Sequence, residues 1–419
     1  MGIGIEIQLC ESRRYVVRHP GEASLLFWLL AAFAAAAMLI AASCGSPAPG
    51  SPSSSTSSAQ LWAAGSKSLS TNRQVGRIFS SSDGGIHWRL VAQKDHLGFT
   101  KIAVAGARHL WVIGGVEPNI DPPPGHILAS SDGGATWTDQ DDELGMVLGV
   151  ATTSASTALA VGDTDGPMIP GPADTLIIKT SDGGSSWSQE PQLPRVATAP
   201  QPAVTSSLGV YHQRLRRGRD RFAKGVGSAV AFGDAAHGWI ITDTPTGLLA
   251  TSDGGESWHT QSLLLGKDAL LEGLTAVDAT HAWIVGISNV SALAPPYAPM
   301  SPLILATSDG RHWVAQEAPA KFNLLAVAFA DRLHGWAVGA SRSEILATSN
   351  GGATWTKQHV PAGADPRGFV SVTASDPLNV WAVSGSAVFA TSDGGTTWRV
   401  IAKLPADLSA VAAVVKPAH

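Results

Sequence analysis

One short word recurs through this chain and leaves it few folds to choose from: Ser/Thr-x-Asp-Gly-Gly-x-Ser/Thr-Trp. It stands at Ser81–Trp88, Ser130–Trp137, Thr180–Trp187, Thr251–Trp258, Thr348–Trp355 and Thr391–Trp398, with His87 replacing a Ser/Thr and Asn350 an Asp. A seventh copy, Thr307–Trp313, is one residue short. Successive acidic positions lie 49, 50, 71, 56, 41 and 43 residues apart, near the blade length of a β-propeller. Each Asp-Gly-Gly step supplies residues tolerant of positive φ for a tight hairpin, and the Ser/Thr and Asp side chains can bond turn amides.

A second word precedes most boxes: Leu-Trp111-Val-Ile-Gly, Gly-Trp239-Ile-Ile-Thr, Ala-Trp283-Ile-Val-Gly, Gly-Trp336-Ala-Val-Gly and Val-Trp381-Ala-Val-Ser. Trp62 begins the series and Leu159 fills the slot in the third repeat. Of the 14 tryptophans, 7 sit in boxes, 6 in this upstream strand and 1, Trp28, in an N-terminal apolar run. With no body tryptophan left over, packing between neighbouring blades accounts for all of them.

Each repeat reads as four strands. In the sixth they are Leu324–Ala330, His334–Gly339, Glu344–Ser349 and Thr354–His359. The near-continuous apolar first strand suits an innermost position and the polar fourth suits the rim. The chain enters at Gln60–Gly65, a second strand without a first, and finishes on Leu408–Val415, a first strand without a second. Pairing them would close the ring and remove its edges. The expected fold is all-β: a seven-bladed propeller over residues 59–417, closed by the C-terminal strand joining the N-terminal blade.

The N-terminus reads as an address. Residues 24–43 form an uncharged apolar run, long enough to span a bilayer as a membrane or signal helix. Arg13, Arg14 and Arg18 precede it, so residues 1–23 stay cytoplasmic and the rest goes outward. The run ends in Ala-Ala-Ser-Cys44-Gly-Ser, and a Ser/Pro/Gly tether covers residues 45–58. Segment 24–44 resembles a bacterial lipoprotein signal with Cys44 as lipid anchor, although Ala41 stands where that pattern prefers Leu. Ser12–Arg18 resembles a twin-arginine signal. An uncleaved signal anchor and simple secretion are the alternatives, and all three put the body on the extracytoplasmic side of the cell membrane.

The repeated box resembles the Asp-box, or BNR, repeat. Its combination with Gly-Trp-Ala-Val-Gly is most similar to photosystem II assembly and stability factor-type propellers, over residues from about 59 to 415. Sialidases, xyloglucanases and sortilin-type receptors also carry such boxes, so the resemblance speaks to fold more than to function. It implies a structural turn role for Asp83, Asp132, Asp182, Asp253, Asp309, Asn350 and Asp393. One carboxylate per loop falls far short of a calcium shell; no metal or cofactor is expected.

In a four-stranded blade the first-to-second and third-to-fourth turns share one face, and here both are short. Insertions Val116–Gly125, Asp163–Ala173, Pro191–Val226, Ser262–Glu272 and Asn289–Ser301 all fall on the other, as on a binding surface carried by a rigid scaffold, with neutral loop drift the alternative. The longest holds Arg214, Arg216, Arg217, Arg219, Arg221 and Lys224, six cations against Asp220, in a chain of net charge −5. Arginines suit bidentate contact with carboxylates or phosphates on a protein, an anionic glycan or a lipid headgroup; a solvated loop is the plainer reading. Asp139, Asp141, Asp142 and Glu143 could pair with them, hold a cation or form a solvated link. The overall negative charge argues against nucleic acid.

The alternative is a secreted sialidase- or xyloglucanase-like hydrolase. The body tyrosines, Tyr211 and Tyr297, lie in insertions, the arginines cluster in one loop, and central first-strand segments such as Leu324–Ala330 lack carboxylates. No catalytic residues are assigned. His109, His237, His281 and His334 recur at one turn and read as structural. The expected function is a membrane-tethered binding scaffold, by resemblance an assembly factor docking on a membrane-protein partner.

Overall fold

The computed structural model describes residues 5–9, 13–17, 59–70, 73–116, 125–141, 146–163, 175–189, 229–242, 247–263, 269–288 and 301–414. The chain divides into two units, Met1–Ser55 and Thr56–His419. In the first, Ile5–Leu9 pairs antiparallel with Arg13–Val17. The apolar run at 24–43, Cys44 and the tether lie outside the described residues. Among those described, no helix is long and apolar enough to cross a membrane.

The second unit contains seven four-stranded antiparallel sheets, each with its strands in chain order except the first. That sheet, blade I, takes Asp407–Val414 as its innermost strand, followed by Gln60–Ser70, Arg73–Ser81 and Arg89–Asp95. The register runs from Gln60 opposite Val414 to Ser66 opposite Asp407. The inner strands of blades II to VII are Leu97–Ala105, Met146–Thr152, Val230–Phe232, Leu270–Ala276, Leu324–Phe329 and Ser371–Ala374. Each packs on the next, and the last and first both pack on Asp407–Val414, so the seven form a closed ring.

Apolar packing lies between blades. Trp336 of blade VI packs with Val372, Val380, Phe389 and Trp398 of blade VII. Trp381 of blade VII packs on Leu61 and Phe79 of blade I, and Trp111, Trp239 and Trp283 repeat the arrangement at later junctions. Leu159 fills the slot between blades III and IV beside Val230, Ile240 and Trp258. These indoles are too large to be covered within one sheet, so burying them requires the neighbour.

Hydrogen bonds follow the same junctions. The indole N–H groups of Trp62, Trp283, Trp336 and Trp381 donate to the first box-glycine carbonyl of the following blade, Gly133, Gly351, Gly394 and Gly84, at 2.9–3.2 Å. A glutamine three residues after the box Trp adds a second tie. Gln140, Gln261, Gln316 and Gln358 each donate to the next blade's box glycine, Gly183, Gly310, Gly351 and Gly394. Each also accepts from that blade's box indole, Trp187, Trp313, Trp355 and Trp398. Where the corresponding residue is Val91, Glu190 or Ile401, the facing indole turns to its own box: Trp137 to Gly134, Trp258 to Gly255 and Trp88 to Gly85.

Five inner strands carry a β-bulge at their first turn of pairing. Thr100, Leu148, Glu272, Leu325 and Ser409 are the unpaired residues. Beside each bulge sits the glycine of the Trp/Leu-x-x-Gly word: Gly114, Gly162, Gly286, Gly339 and Gly65. A Cβ there would overlap inner-strand carbonyls, for example that of Asn323 at Gly339 or Leu270 at Gly286. Blades IV and VII have Thr242 and Ser384 in that place, and their described pairings run without a bulge. The glycine and the bulge are therefore one device.

Two outcomes test this architecture. Gln358→Leu leaves the Gly394 carbonyl with the Trp336 indole but strips the buried Trp398 indole of its acceptor, and should cost about 2 kcal/mol, read by denaturant unfolding. Val91→Gln, which creates the same residue at a junction that lacks it, should be neutral or stabilising.

Candidate functional site

The two faces of the ring differ because their turns differ. On one face every box is clamped alike. The box Ser/Thr hydroxyl donates to the Asp or Asn oxygen at 2.7–3.1 Å. That oxygen accepts the amide N–H just before the box Trp at 2.8–3.0 Å. The second carboxylate oxygen takes Thr136, Ser186, Ser257 and Thr397 hydroxyls, or the Nδ1 of His87 and His312. Asn350 reverses that last bond, its amide nitrogen donating to Thr354, which explains how one box works without a charge. The short fifth box keeps its clamp, Asp309 holding the amides of Arg311 and His312.

The first-to-second turns are capped in parallel. Asp234, Asp278 and Asp331 accept turn amides and hold the Nδ1 of His237, His281 and His334; Asp376 does the same for Asn379. Across blades, Arg332 donates to Asp278 at 2.6 Å. Each box is tied to its own blade's turn by a glycine N–H, for instance Gly351 to Leu333 and Gly394 to Leu378. Carboxylates occupied in this way have little left to offer a ligand, and among the described residues no cluster of three or more His, Cys, Asp or Glu could hold a metal ion.

The opposite face receives the second-to-third loops and the blade-to-blade links. All five insertions leave and rejoin the ring there, by the antiparallel order of the strands. Arg214, Arg216, Arg217, Arg219, Arg221 and Lys224 lie outside the described residues, as do Asp142 and Glu143. Asp139 stands on the outer strand Thr138–Asp141, with Lys94 of blade I at 3.3 Å and His126 at 3.5 Å. It is thus committed between blades I and II. Arg367, in the link before blade VII, holds Asp365 at 2.7 Å and approaches Asp407 at 3.9 Å.

At the centre of this face the bulges set the bore's rim. Thr100, Leu148, Glu272, Leu325 and Ser409 retain solvent exposure beside the buried Phe99, Val147, Leu271, Leu324 and Leu408. Two groups missed by sequence reasoning belong here, Lys101 and Glu272, because a single charge within an apolar strand carries no periodic signal. The junction glutamines were missed too. Their signal is the fixed distance from the box Trp.

The repeated clamp on seven interlocked sheets defines a seven-bladed Asp-box β-propeller. Within it, residues 305–418 match the family model of photosynthesis system II assembly factor YCF48, and the chain resembles that group of propellers. Among solved structures, YCF48 bound to D1 peptide shares 17% identity at a TM-score of 0.47, covering 73% of this chain and 81% of that one. YCF48 from Cyanidioschyzon merolae shares 17% at 0.42, covering 73% and 85%. An ancestral GH74 enzyme shares 13% at 0.53, covering 82% of this chain and 46% of its own. At these identities the structural likeness is one of fold. No curated protein matches in sequence.

The clamps carry a pH signature. Partial burial pushes the Asp83 and Asp253 carboxyls up, but bonds from His87 and Ser81, and from Ser257 and Thr251, outweigh it and leave both at about 2. The Ser186 hydroxyl and amide bring Asp182 to about 2. A folded pKa below the unfolded value of about 3.9 means the unfolded chain takes up protons first as pH falls. The clamp contribution is therefore complete above about pH 4 and fades between about 4 and 2. Thermal midpoints measured from pH 7 to 2 should fall most steeply in that window, and Asp253→Asn should flatten the fall.

Proposed function

We propose that the protein is a membrane-tethered extracytoplasmic scaffold that docks a protein partner on its insertion-bearing face, as an assembly factor would, without bond chemistry of its own. The observation that carries this reading is the one-sidedness of the ring: seven boxes clamped to a common geometry on one face, five insertions on the other. A rigid scaffold that varies only one surface is built for recognition. The match of residues 305–418 to the YCF48 family model supports an assembly-factor role, and the arginine run 214–221 supplies forks for carboxylates on the partner.

The hydrolase reading asks for two carboxylates of unlike protonation. Among the described inner-strand residues the carboxylates are Glu272 and, at an exposed strand start, Asp407. Nearby Asp365 is held low by its bonds to Arg367, the wrong direction for a general acid.

Affinity capture from gently solubilised membranes tests the docking. A membrane-protein partner should co-purify with the wild type and be lost when Arg214, Arg216, Arg217, Arg219 and Arg221 are all changed to Ala. Equal capture by both proteins would remove the arginine loop from the account. For the tether, the wild type should incorporate labelled fatty acid and Cys44→Ala should abolish it; no labelling of the wild type would point to a retained signal anchor, and labelling of the variant to another acylation site.

A further inference from the structure

Box-glycine amides mark one equivalent position in every blade, three residues before the Trp (or Leu159) of the second strand. Gly133, Gly183, Gly254, Gly310, Gly351 and Gly394 donate there to the carbonyls of Arg108, Ser156, Ala236, Thr280, Leu333 and Leu378. In blade I the same bond runs from Gly84 to Ala59. Ala59 is the residue that follows the tether, so the chain coming from the apolar run at 24–43 joins the ring on the box face, at blade I.

The side chains at this position divide the box face. Blades II to V have Arg108, Ser156, Ala236 and Thr280, polar or small, whereas blades VI and VII have Leu333 and Leu378, 52% and 56% exposed. Directly after the box glycines, blade IV carries the exposed Glu256 and blade I the exposed Ile86. Leu333, Leu378 and Ile86 are three of the six large apolar side chains exposed among the described residues. Blades VI, VII and I are consecutive in the ring, so the three form one arc beside the point where the tether arrives. Within that arc lies the box in which Asn350 replaces a charged Asp. The carboxylates that remain are committed inside their turns: Asp83 to His87, Asp331 to His334, Asp376 to Asn379 and Asp393 to Thr397. Leucines on exposed turns add nothing to blade packing, and an apolar phase outside the protein is what would cover them. The tether brings one near. Its residues, 45–58, reach at most about 50 Å when fully extended, and a link of this length makes even weak apolar contacts effective through local concentration. The opposite face is a blade's height further off, about 20 Å for a six-residue strand such as Gly125–Ser130.

We propose that the arc of Ile86, Leu333 and Leu378 rests on the lipid bilayer that carries the tether, so that the ring stands tilted on blade VII with its insertion-bearing face turned away. The inference rests on the tether of the proposed function. The contact is apolar, and the neutral Asn350 spares it a charge at the headgroups. The tilt lifts blades III and IV, between which the 191–226 insertion leaves and rejoins the ring, furthest from the lipid. Its arginines are thereby kept off anionic headgroups and left open to a protein partner.

The test places a photoreactive benzophenone side chain at position 86, 333 or 378 of the full-length protein and, as controls, at 69 and 256. Leu69 is similarly exposed but stands on the second-to-third hairpin of blade I, on the opposite face; Glu256 shares the box face but belongs to blade IV. Each protein is reconstituted with vesicles of phosphatidylcholine, alone or with phosphatidylglycerol, floated and irradiated. Positions 86, 333 and 378 should crosslink lipid at least about fivefold more than 69 and 256, with either composition and at high salt. Leu333→Ser combined with Leu378→Ser should lower the yield at 86 at least about fivefold while flotation is unchanged. Wild type that fails to float would remove the tether, and this proposal with it. Protein that floats but crosslinks lipid equally at all five positions, or most at 69, would overturn the resting face and leave the tether standing. Crosslinking confined to phosphatidylglycerol vesicles and lost in salt would make the contact one of charge and overturn the apolar arc, as would capture of a second protein copy in place of lipid.

Discussion

The box carboxylate is the bond on which the rest of this molecule hangs. A turn of Asp-Gly-Gly has more amide donors than its own carbonyls can satisfy, and one Asp oxygen gathers them with the Ser/Thr hydroxyl. The arrangement fixes the direction of the first glycine carbonyl, and that carbonyl accepts the neighbour's indole or glutamine. Local satisfaction of a tight turn thereby becomes the means of joining blades. The two positive-φ glycines in most boxes, such as Gly394 and Gly395, leave room for the neighbour to come this close.

The architecture was readable because its rules are local and repeated. Box spacing gave the blade count, and Trp at one strand position gave the junction core, including the place where Leu159 substitutes. Features that depend on a neighbouring blade were hidden. Gln358 on an outer strand looks like a solvated residue until the next blade's Trp398 is brought beside it. Gly339 reads as the end of a strand, whereas its lack of a side chain is what admits the bulge at Leu325. Lys101 and Glu272 are lone charges in otherwise apolar strands, and only the assembled blades show that both strands are innermost.

The candidate site was legible at its edges and not at its centre. Loop-length asymmetry marks a face without needing any coordinates, since antiparallel order alone assigns each connection to one side or the other. The bore's electrostatics require geometry. One lysine among apolar residues has no pattern to identify it, and its enclosure, which lowers its pKa, is seen only once the strands are assembled.

The placement of the first blade's inner strand has a consequence for how the molecule is born. Gln60–Ser70 is among the first parts of the body to be synthesised, while its partner Asp407–Val414 is among the last. Until those residues emerge, nascent blade I presents an open edge, and the inner strand of blade VII lacks the strand it packs on. The finished ring therefore reports that translation has passed Val414: a chain cut short before it leaves a sticky strand for chaperones and proteases to recognise, while a longer one conceals it.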